Sequence, residues 1–382
     1  MEKKIQFKSI KLRLAFWFLV MALLPLIIVC KINYDMGVDF STIKEGHKLA
    51  AIRDLKVQQV NRWLDHRISD IRGIAEDDCI REIGELPGTG EHPRNDLAFH
   101  HARENLDRFV RNSPNFFDFF IINPRSGRVE ISTDRSLEGE NRSDKSYFTM
   151  PLQTGQVYIE TYYSKYLDKP ALTFSLPIYS MDDRDRHILG ILAGRINLED
   201  SLYDMLLNRS GMGETGETLV VGQDGMVLNE LRWYEKAPFK LKVDGGVAGR
   251  ASRGETGIVE ATDYRGEKVL AAYTFIPRTH WGFVAKQDLR EIYAPSRLIL
   301  RYTLILLLIS IIGISVVASL LTRTITRPIL EMTQVAKRIE QGDLSARNRT
   351  ARADELGYLA QAFDTMADSI ASNMAIQEGG QL

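Results

Sequence analysis

The chain has 382 residues and sets 49 lysines and arginines against 50 aspartates and glutamates, a net charge of −1. That balance argues against a nucleic-acid binder, which carries a basic surplus. The length admits two or three folded units, and a globular composition of 44% hydrophobic and 26% charged residues hides two strongly apolar stretches.

The first stretch, Leu14 to Cys30, contains no charge and follows Lys3, Lys4, Lys8, Lys11 and Arg13. Basic residues stay on the cytoplasmic side of a membrane. No small-residue cleavage site follows, and bulky Val29 before Cys30 does not suit lipoprotein processing, so the run reads as an uncleaved anchor. Pro25 inside it is tolerable in a membrane helix. Next, Leu49, Ile52, Val60, Leu64, Ile68, Ile71 and Ala75 recur at helical spacing, with no Gly or Pro from Lys48 to Arg72. A helix of about forty residues there would rise about 60 Å at 1.5 Å per residue, forming a stalk. Gly84 to Asp96 reads as a loop. The two cysteines, Cys30 and Cys79, offer no disulfide framework.

Strands follow. Phe116 to Ile122, a turn at Asn123 to Gly127, and Arg128 to Ser132 make a hairpin. Val157 to Tyr163, Ala171 to Ser180 and Ile188 to Asn197 add three strands, the last two joined by Met181 to His187. The pattern then repeats: a strand, Asp-Gly turn and strand over Thr218 to Glu230, a hairpin over Gly257 to Pro277, and a strand running into a helix from Trp281, continuous from Asp288 into the second span. Gly127 and Gly225 mark equivalent turns, Pro177 and Pro277 end equivalent strands, and Gly190 and Gly282 open the last strands. This predicts an internal duplication of one α+β module. The layout from Asn33 to Arg297 resembles the double Cache (dCache) sensor domain. The resemblance implies an extracytoplasmic ligand-binding domain with the ligand in the membrane-distal module.

The second apolar stretch, Tyr302 to Leu321, is followed by Arg323 and Arg327, which places both termini in the cytoplasm. Beyond it, Ile325, Ile329, Met332, Ala336 and Ile339 form one heptad seam and Leu356, Leu359, Phe363, Met366 and Ile370 a second. Each helix is short for independent stability, and Asp354 is placed to cap the second. Pro328, the Gly342-Asp343-Leu344 run, Asp354-Glu355-Leu356-Gly357 and the Phe363/Met366 pair resemble a HAMP domain in order and spacing. The resemblance implies a parallel four-helix bundle built from two chains. It gives Pro328, Gly342, Leu344, Glu355, Leu356, Phe363 and Met366 roles in signal relay.

Sequence motifs for catalysis are absent: there is no G-x-x-x-x-G-K-[ST], G-x-S-x-G or H-E-x-x-H. All seven histidines lie in the outer segment, so none is a cytoplasmic phosphoacceptor. His92, His100 and His101 read as solvated residues rather than metal ligands, and Ala375 to Leu382 as a frayed tail. We expect no catalytic residue, no metal and no cofactor. For ligand recognition, the polar loop Asp134 to Phe148 and the Thr161 to Tyr166 stretch offer Arg142, Lys145, Tyr147, Phe148, Tyr162, Ser164 and Lys165. Arg and Lys suit a carboxylate, and Tyr supplies a wall with a hydroxyl. Amino-acid-binding dCache receptors carry an arginine followed by tryptophan and tyrosine in this loop, and an aspartate before the next hairpin. Lys145, Tyr147 and Phe148 stand at the first positions, and Ser164 near the aspartate. With no carboxylate to meet an ammonium, a small organic anion is the expected ligand.

The expected architecture is an α+β membrane protein. It has a cytoplasmic N-terminus (1–13), a first span (14–31), and an outer domain (32–297) with a long stalk helix and two tandem PAS-like antiparallel-sheet modules, distal at about 100–200 and proximal at about 214–288. A second span (298–321), a HAMP domain (322–375) and a tail (376–382) complete it. The expected function is a two-pass receptor of the bacterial inner membrane, with its sensor domain periplasmic or extracellular. It would pair with itself as a parallel homodimer and act on a separate cytoplasmic signalling protein. The alternative is the input half of a sensor histidine kinase or methyl-accepting chemotaxis protein whose output module lies outside this chain. A transport role is disfavoured because neither span holds a carboxylate.

Overall fold

A computed structural model describes residues 10–85, 97–113, 115–164, 168–181, 187–348 and 352–379. Helix α1, Ile10–Ala75, runs unbroken for 66 residues, about 100 Å at 1.5 Å per residue. Its predicted core face is the observed one: Leu49, Val60, Leu64, Ile71 and Ala75 are buried, with Ile52 and Ile68 packed beside them. Short α2 (Asp78–Glu85) and α3 (Leu97–Asn112) follow. Gly84 and Glu85 are therefore helical, and the rest of the expected loop lies outside the described residues, as does His92.

The first module is a five-stranded antiparallel sheet in the order β2-β1-β5-β4-β3. Its strands are β1 (Phe116–Ile122), β2 (Val129–Ser132), β3 (Tyr158–Ser164), β4 (Lys169–Tyr179) and β5 (Ile188–Asn197). Helix α4, Ser146–Thr154, lies between β2 and β3 and ends at Gly155, whose φ is +66°. Pro177 lies inside β4 rather than at its end. It is accommodated because β3 pairs only as far as Ser175, so no neighbour needs an N–H from residue 177.

A π-helical turn (Glu199–Tyr203) and α5 (Asp204–Leu207) lead to the second module. It comprises β6 (Glu217–Val221), α6 (Gly246–Ser252), β7 (Gly257–Thr262), β8 (Lys268–Ile276) and β9 (Trp281–Asp288). The order β6-β9-β8-β7 is that of the first sheet with the β2 position left out. The missing strand is the one expected over Met226 to Glu230. There the Asn229 side chain replaces a partner strand: its Oδ1 accepts the Val220 N–H at 2.7 Å, and its Nδ2 donates to the Thr218 carbonyl at 3.0 Å. Only isolated bridges, Val221 to Val227 and Met226 to Lys242, remain.

Each sheet buries apolar residues on both faces. One continuous core joins α1 to Phe119, Ile121, Phe174 and Leu176 of the first sheet and to Leu270, Ala272, Phe283 and Ala285 of the second. The opposite face of the first sheet packs under α4, through Phe120, Ile191 and Phe148. The opposite face of the second packs under α6, through Leu219, Val269 and Val284. Covering loops therefore close over one face of each sheet.

The helix expected to continue from Asp288 is interrupted. α7 (Leu289–Ile292) ends at Tyr293, and α8 begins at Ala294 and runs to Leu321. Pro295 has no N–H for the Glu291 carbonyl, which breaks the ladder there. α1 and α8 both contain stretches apolar and long enough to cross a membrane. Met21, Leu24, Leu306 and Ile309, all more than half exposed, suit lipid contact.

A π-helical turn, Thr322–Thr326, joins α8 to α9, Arg327–Glu340. α10 spans Glu355–Gly379, so the helix passes Ala375 and the expected tail is helical through Gly379. The connector returns along α10: Asn348 N–H donates to Asp364 Oδ1 at 2.8 Å, Arg347 pairs with Asp368, and Asp354 Oδ1 caps α10 by accepting the Gly357 N–H at 3.0 Å. A connector that descends from Asp368 to Asp354 makes α9 and α10 parallel. Gly357 is sterically required, because a Cβ there would stand 2.1 Å from the Arg352 carbonyl oxygen.

Candidate ligand-binding site

Residues directly opposite in a sheet share a face. The register of the first module lines up Glu160 with Thr173, Thr173 with Arg195, and Arg195 with Asp118, a polar row across four strands. The next row holds Tyr158 and Ser175. Tyr162 stands on the same face of β3, two residues after Glu160. This is the face that α4 and the preceding loop cover.

Arg195 grips Asp118 with two nitrogens: Nε lies 2.8 Å from Oδ1 and 2.9 Å from Oδ2, and Nη2 also bonds Oδ2. Its guanidinium lies 5.2 Å from the Phe117 ring centroid and 5.3 Å from that of Phe120. Burial pushes the Asp118 carboxyl up, and Arg195 only partly pulls it back. Burial likewise works against the Arg195 charge, and Asp118 more than offsets it, raising the guanidinium pKa.

Four polar atoms on or above this face are buried without a hydrogen-bond partner: Tyr162 Oη, Thr173 Oγ1, Ser175 Oγ and Arg142 Nε. Tyr162 Oη lies beside Arg195 and Thr173 yet bonds neither with good geometry. Buried polar groups are ordinarily satisfied by protein or water, and these four atoms are open to a polar occupant or to water.

The covering segment supplies the residues anticipated from sequence. Arg142 pairs through Nη2 with Glu140 and acts on Asp118 and Tyr147. Lys145, the N-cap of α4, pairs with Asp144 at 2.9 Å and lies near enough to Glu160 to oppose the rise that burial causes in that carboxyl. Tyr147 packs edge-on against Phe120 at 5.9 Å, and burial raises its hydroxyl to about 12. Tyr147 and Phe148 belong to α4 rather than to a loop, because the chain turns helical at Ser146. Phe148 is buried in the core beneath the segment. Ser164 is buried at the far end of β3, opposite Lys169. Lys165 lies outside the described residues.

Arg142, Lys145, Tyr147 and Tyr162 thus converge on one face with Asp118, Glu160, Thr173, Ser175 and Arg195, which the sequence reading did not single out. Asp118 and Arg195 are the sole charges in strands otherwise apolar, and that anomaly was the available signal. Chemically, the face offers two cations outside the Asp118 pair, neutral phenols and hydroxyls, and the Glu160 carboxylate.

The residues expected to relay a signal lie in the C-terminal helices. Pro328 occupies the first turn of α9, Gly342 follows that helix with φ of +96°, and Leu344 is half-buried. Glu355 is exposed in the first turn of α10, Leu356 and Phe363 are half-buried, and Met366 is 52% exposed in the single chain.

A family model of the Cache domain, dCache_1, matches residues 43–296, and one of the HAMP domain matches residues 320–372. The methyl-accepting chemotaxis protein McpA of Bacillus subtilis is 34% identical over 114 residues, which are 30% of this chain and 17% of that protein. Methyl-accepting chemotaxis protein McpA of Pseudomonas putida is 21% identical over 327 residues, 84% of this chain and 47% of that protein. Sensor protein kinase WalK of Staphylococcus epidermidis is 24% identical over 196 residues, covering 48% and 32% respectively. The chain spans less than half the length of these relatives. Among solved structures, the sensory domain of the Campylobacter jejuni chemoreceptor Tlp3 with isoleucine bound matches with a TM-score of 0.50 at 14% identity, over 67% of this chain and 98% of that one.

Proposed function

Because the chain belongs to the dCache family of Cache-domain proteins and carries a HAMP domain, we propose that it is a two-pass membrane receptor whose first module binds a small carboxylate-bearing molecule. The observation that carries this reading is the cluster of unpartnered buried polar atoms around Tyr162. Arg142 and Lys145 would meet the carboxylate, Tyr147 and Tyr162 would wall and hydrogen-bond the body, and Thr173 and Ser175 would supply hydroxyls. Phe148 supports the segment from below, and Ser164 would border the site; Lys165, the remaining residue anticipated from sequence, lies outside the described residues. A second reading, an amino acid, is favoured by Glu160, a carboxylate on the same face that an ammonium could meet.

In this reading the outer domain is extracytoplasmic, both termini are cytoplasmic, and the chain binds and relays without catalysis; neither matched domain is a catalytic module. Relay would leave the second module through β9, where Asp288 N–H bonds Thr215 Oγ1 at 3.1 Å and Glu291 accepts the backbone N–H groups of Glu214 and Thr215 at 2.8 Å. Pro328, Gly342, Leu344, Glu355, Leu356, Phe363 and Met366 would then set the packing of two chains in a parallel homodimer. A cytoplasmic signalling module, in this polypeptide or a separate one, would read that packing. The ligand acts only through its differential affinity for two packings, and a full switch from 1:99 to 99:1 needs about 5.5 kcal/mol.

The test is calorimetric titration of the full chain in lipid nanodiscs with small organic acids and amino acids. The reading expects a ligand whose affinity falls at least about tenfold, or about 1.4 kcal/mol, in Arg142→Ala and in Tyr162→Phe. Unchanged affinity in both variants would remove the assigned site. Preference for a protein partner over every small molecule would remove the ligand class.

A further inference from the structure

The second module contains a half-open pocket of about 190 Å³ under α6, on the sheet face away from α1. Its walls are Leu219, Val243, Val247, Ala248, Val269 and Val284, and its polar boundary is formed by Asp263, Tyr264 and Lys286. The size is informative. A dry apolar cavity of about 150 Å³ accepts benzene, so this one has room for a ring with a small substituent or for a short aliphatic chain.

The polar boundary determines what charge can enter. Lys286, with 4% of its side chain exposed, pairs with Glu217 at 2.9 Å and with Asp263 at 2.5 Å. Arg265 pairs with Asp263 at 2.7 Å and with Asp288 at 2.5 Å. Tyr264 donates to Glu217 at 3.0 Å, and its ring centroid lies 4.1 Å from Lys286 Nζ. Each charge therefore has an opposite neighbour, and two cations face three carboxylates. An anion would meet a boundary of net negative charge whose two cations are already paired, and a cation would have to displace Lys286 or Arg265 from a buried pair, and both are costly. A neutral molecule meets neither penalty.

We propose that the second module is a separate binding site for a small neutral molecule with an apolar ring or chain and at most one uncharged polar group. The site is distinct in position and chemistry from the polar face of the first module. It also lies on β9, whose Lys286 and Asp288 directly precede α7, so occupancy would load the strand through which the first module's signal leaves.

The test is ligand-observed NMR with phenol, benzoate and benzylamine, using the full chain in lipid nanodiscs. Ala248→Phe, which fills the cavity, is the reference for partitioning into lipid, and Ala248→Leu is a milder filler should the larger ring prevent folding. The proposal expects phenol to bind the wild type at least about tenfold better than either filled variant, with benzoate and benzylamine showing no such difference. Arg142→Ala and Tyr162→Phe should bind phenol as the wild type does, whatever becomes of the first-module ligand. Equal phenol signals in wild type and both filled variants would overturn the site. Loss of phenol binding in the first-module variants would overturn its independence, and cavity-dependent binding of benzoate or benzylamine would overturn the neutral class.

Discussion

The Asp118–Arg195 pair is built from residues 77 positions apart and sits on a sheet face otherwise packed with Phe120, Ile191 and Ala193. Removing one partner leaves a buried charge uncompensated, which costs about 3–5 kcal/mol, whereas replacing both with apolar residues is often neutral. Arg195→Met should therefore lower stability to chemical denaturation by about that amount, and Asp118→Leu/Arg195→Met should recover most of it. Equal losses in the single and double variants would contradict the assignment of the cost to the stranded carboxylate. Arg142, Lys145, Tyr147 and Tyr162 were legible in the sequence because they crowd two short polar, aromatic stretches. Asp118, Glu160, Thr173, Ser175 and Arg195 were not, because only the register of β1, β5, β4 and β3 aligns them. At the same scale, Asp354 caps α10 and is held at about 2 by its hydrogen bonds to Arg352 and to the Gly357 N–H. A depressed folded pKa contributes stability above the unfolded value, about 3.9, and that contribution is lost as pH falls toward 2. Helicity of α10, followed by circular dichroism, should therefore drop across this window. Asp354→Asn, which can still cap, should flatten the profile, while Asp354→Ala should lower helicity at every pH.

At the scale of elements, amphipathic period and turn chemistry located α1, the nine strands found among the described residues and both C-terminal helices, and also predicted a tenth strand that Asn229 replaces. The failures have specific causes. The Thr218 to Glu230 stretch has hairpin chemistry at Asp224-Gly225, yet the Asn229 side chain takes the hydrogen bonds a strand would make. Asn229→Leu would leave the Val220 N–H and Thr218 carbonyl unsatisfied at a buried site, a loss of about 1–3 kcal/mol per group. Faster hydrogen exchange at Val220 than at Phe283, its partner on β9, would register it; unchanged protection would mean that the Asn229 bonds contribute nothing. The break at Tyr293 is a second case. The apolar pattern on either side reads through it, and only the missing N–H of Pro295 stops the helix. α4 was hidden because Pro151 lies inside it and its start is polar.

For the molecule as a whole, two features exceed what one chain can satisfy. Ile325, Ile329, Leu359 and Met366 lie on the heptad seams and remain 45 to 52% exposed in the single chain, and α9 and α10 are parallel within it. Two such hairpins would bury all four seams together. Met366→Cys in the membrane-embedded chain should therefore crosslink to its own counterpart under mild oxidation, and crosslinking that stays at background would rule out this packing. The second feature is the set of unpartnered polar atoms in the first module, and the central claim rests on it. The most direct measurement is the melting temperature of the full chain in lipid nanodiscs across a panel of small organic acids and amino acids. A ligand at one hundred times its Kd stabilises by about 2.7 kcal/mol. The account predicts a compound that raises the melting temperature of the wild type and of Ala248→Phe, but not that of Arg142→Ala or Tyr162→Phe. A compound that stabilises all four chains equally, or a panel that stabilises none, would contradict it.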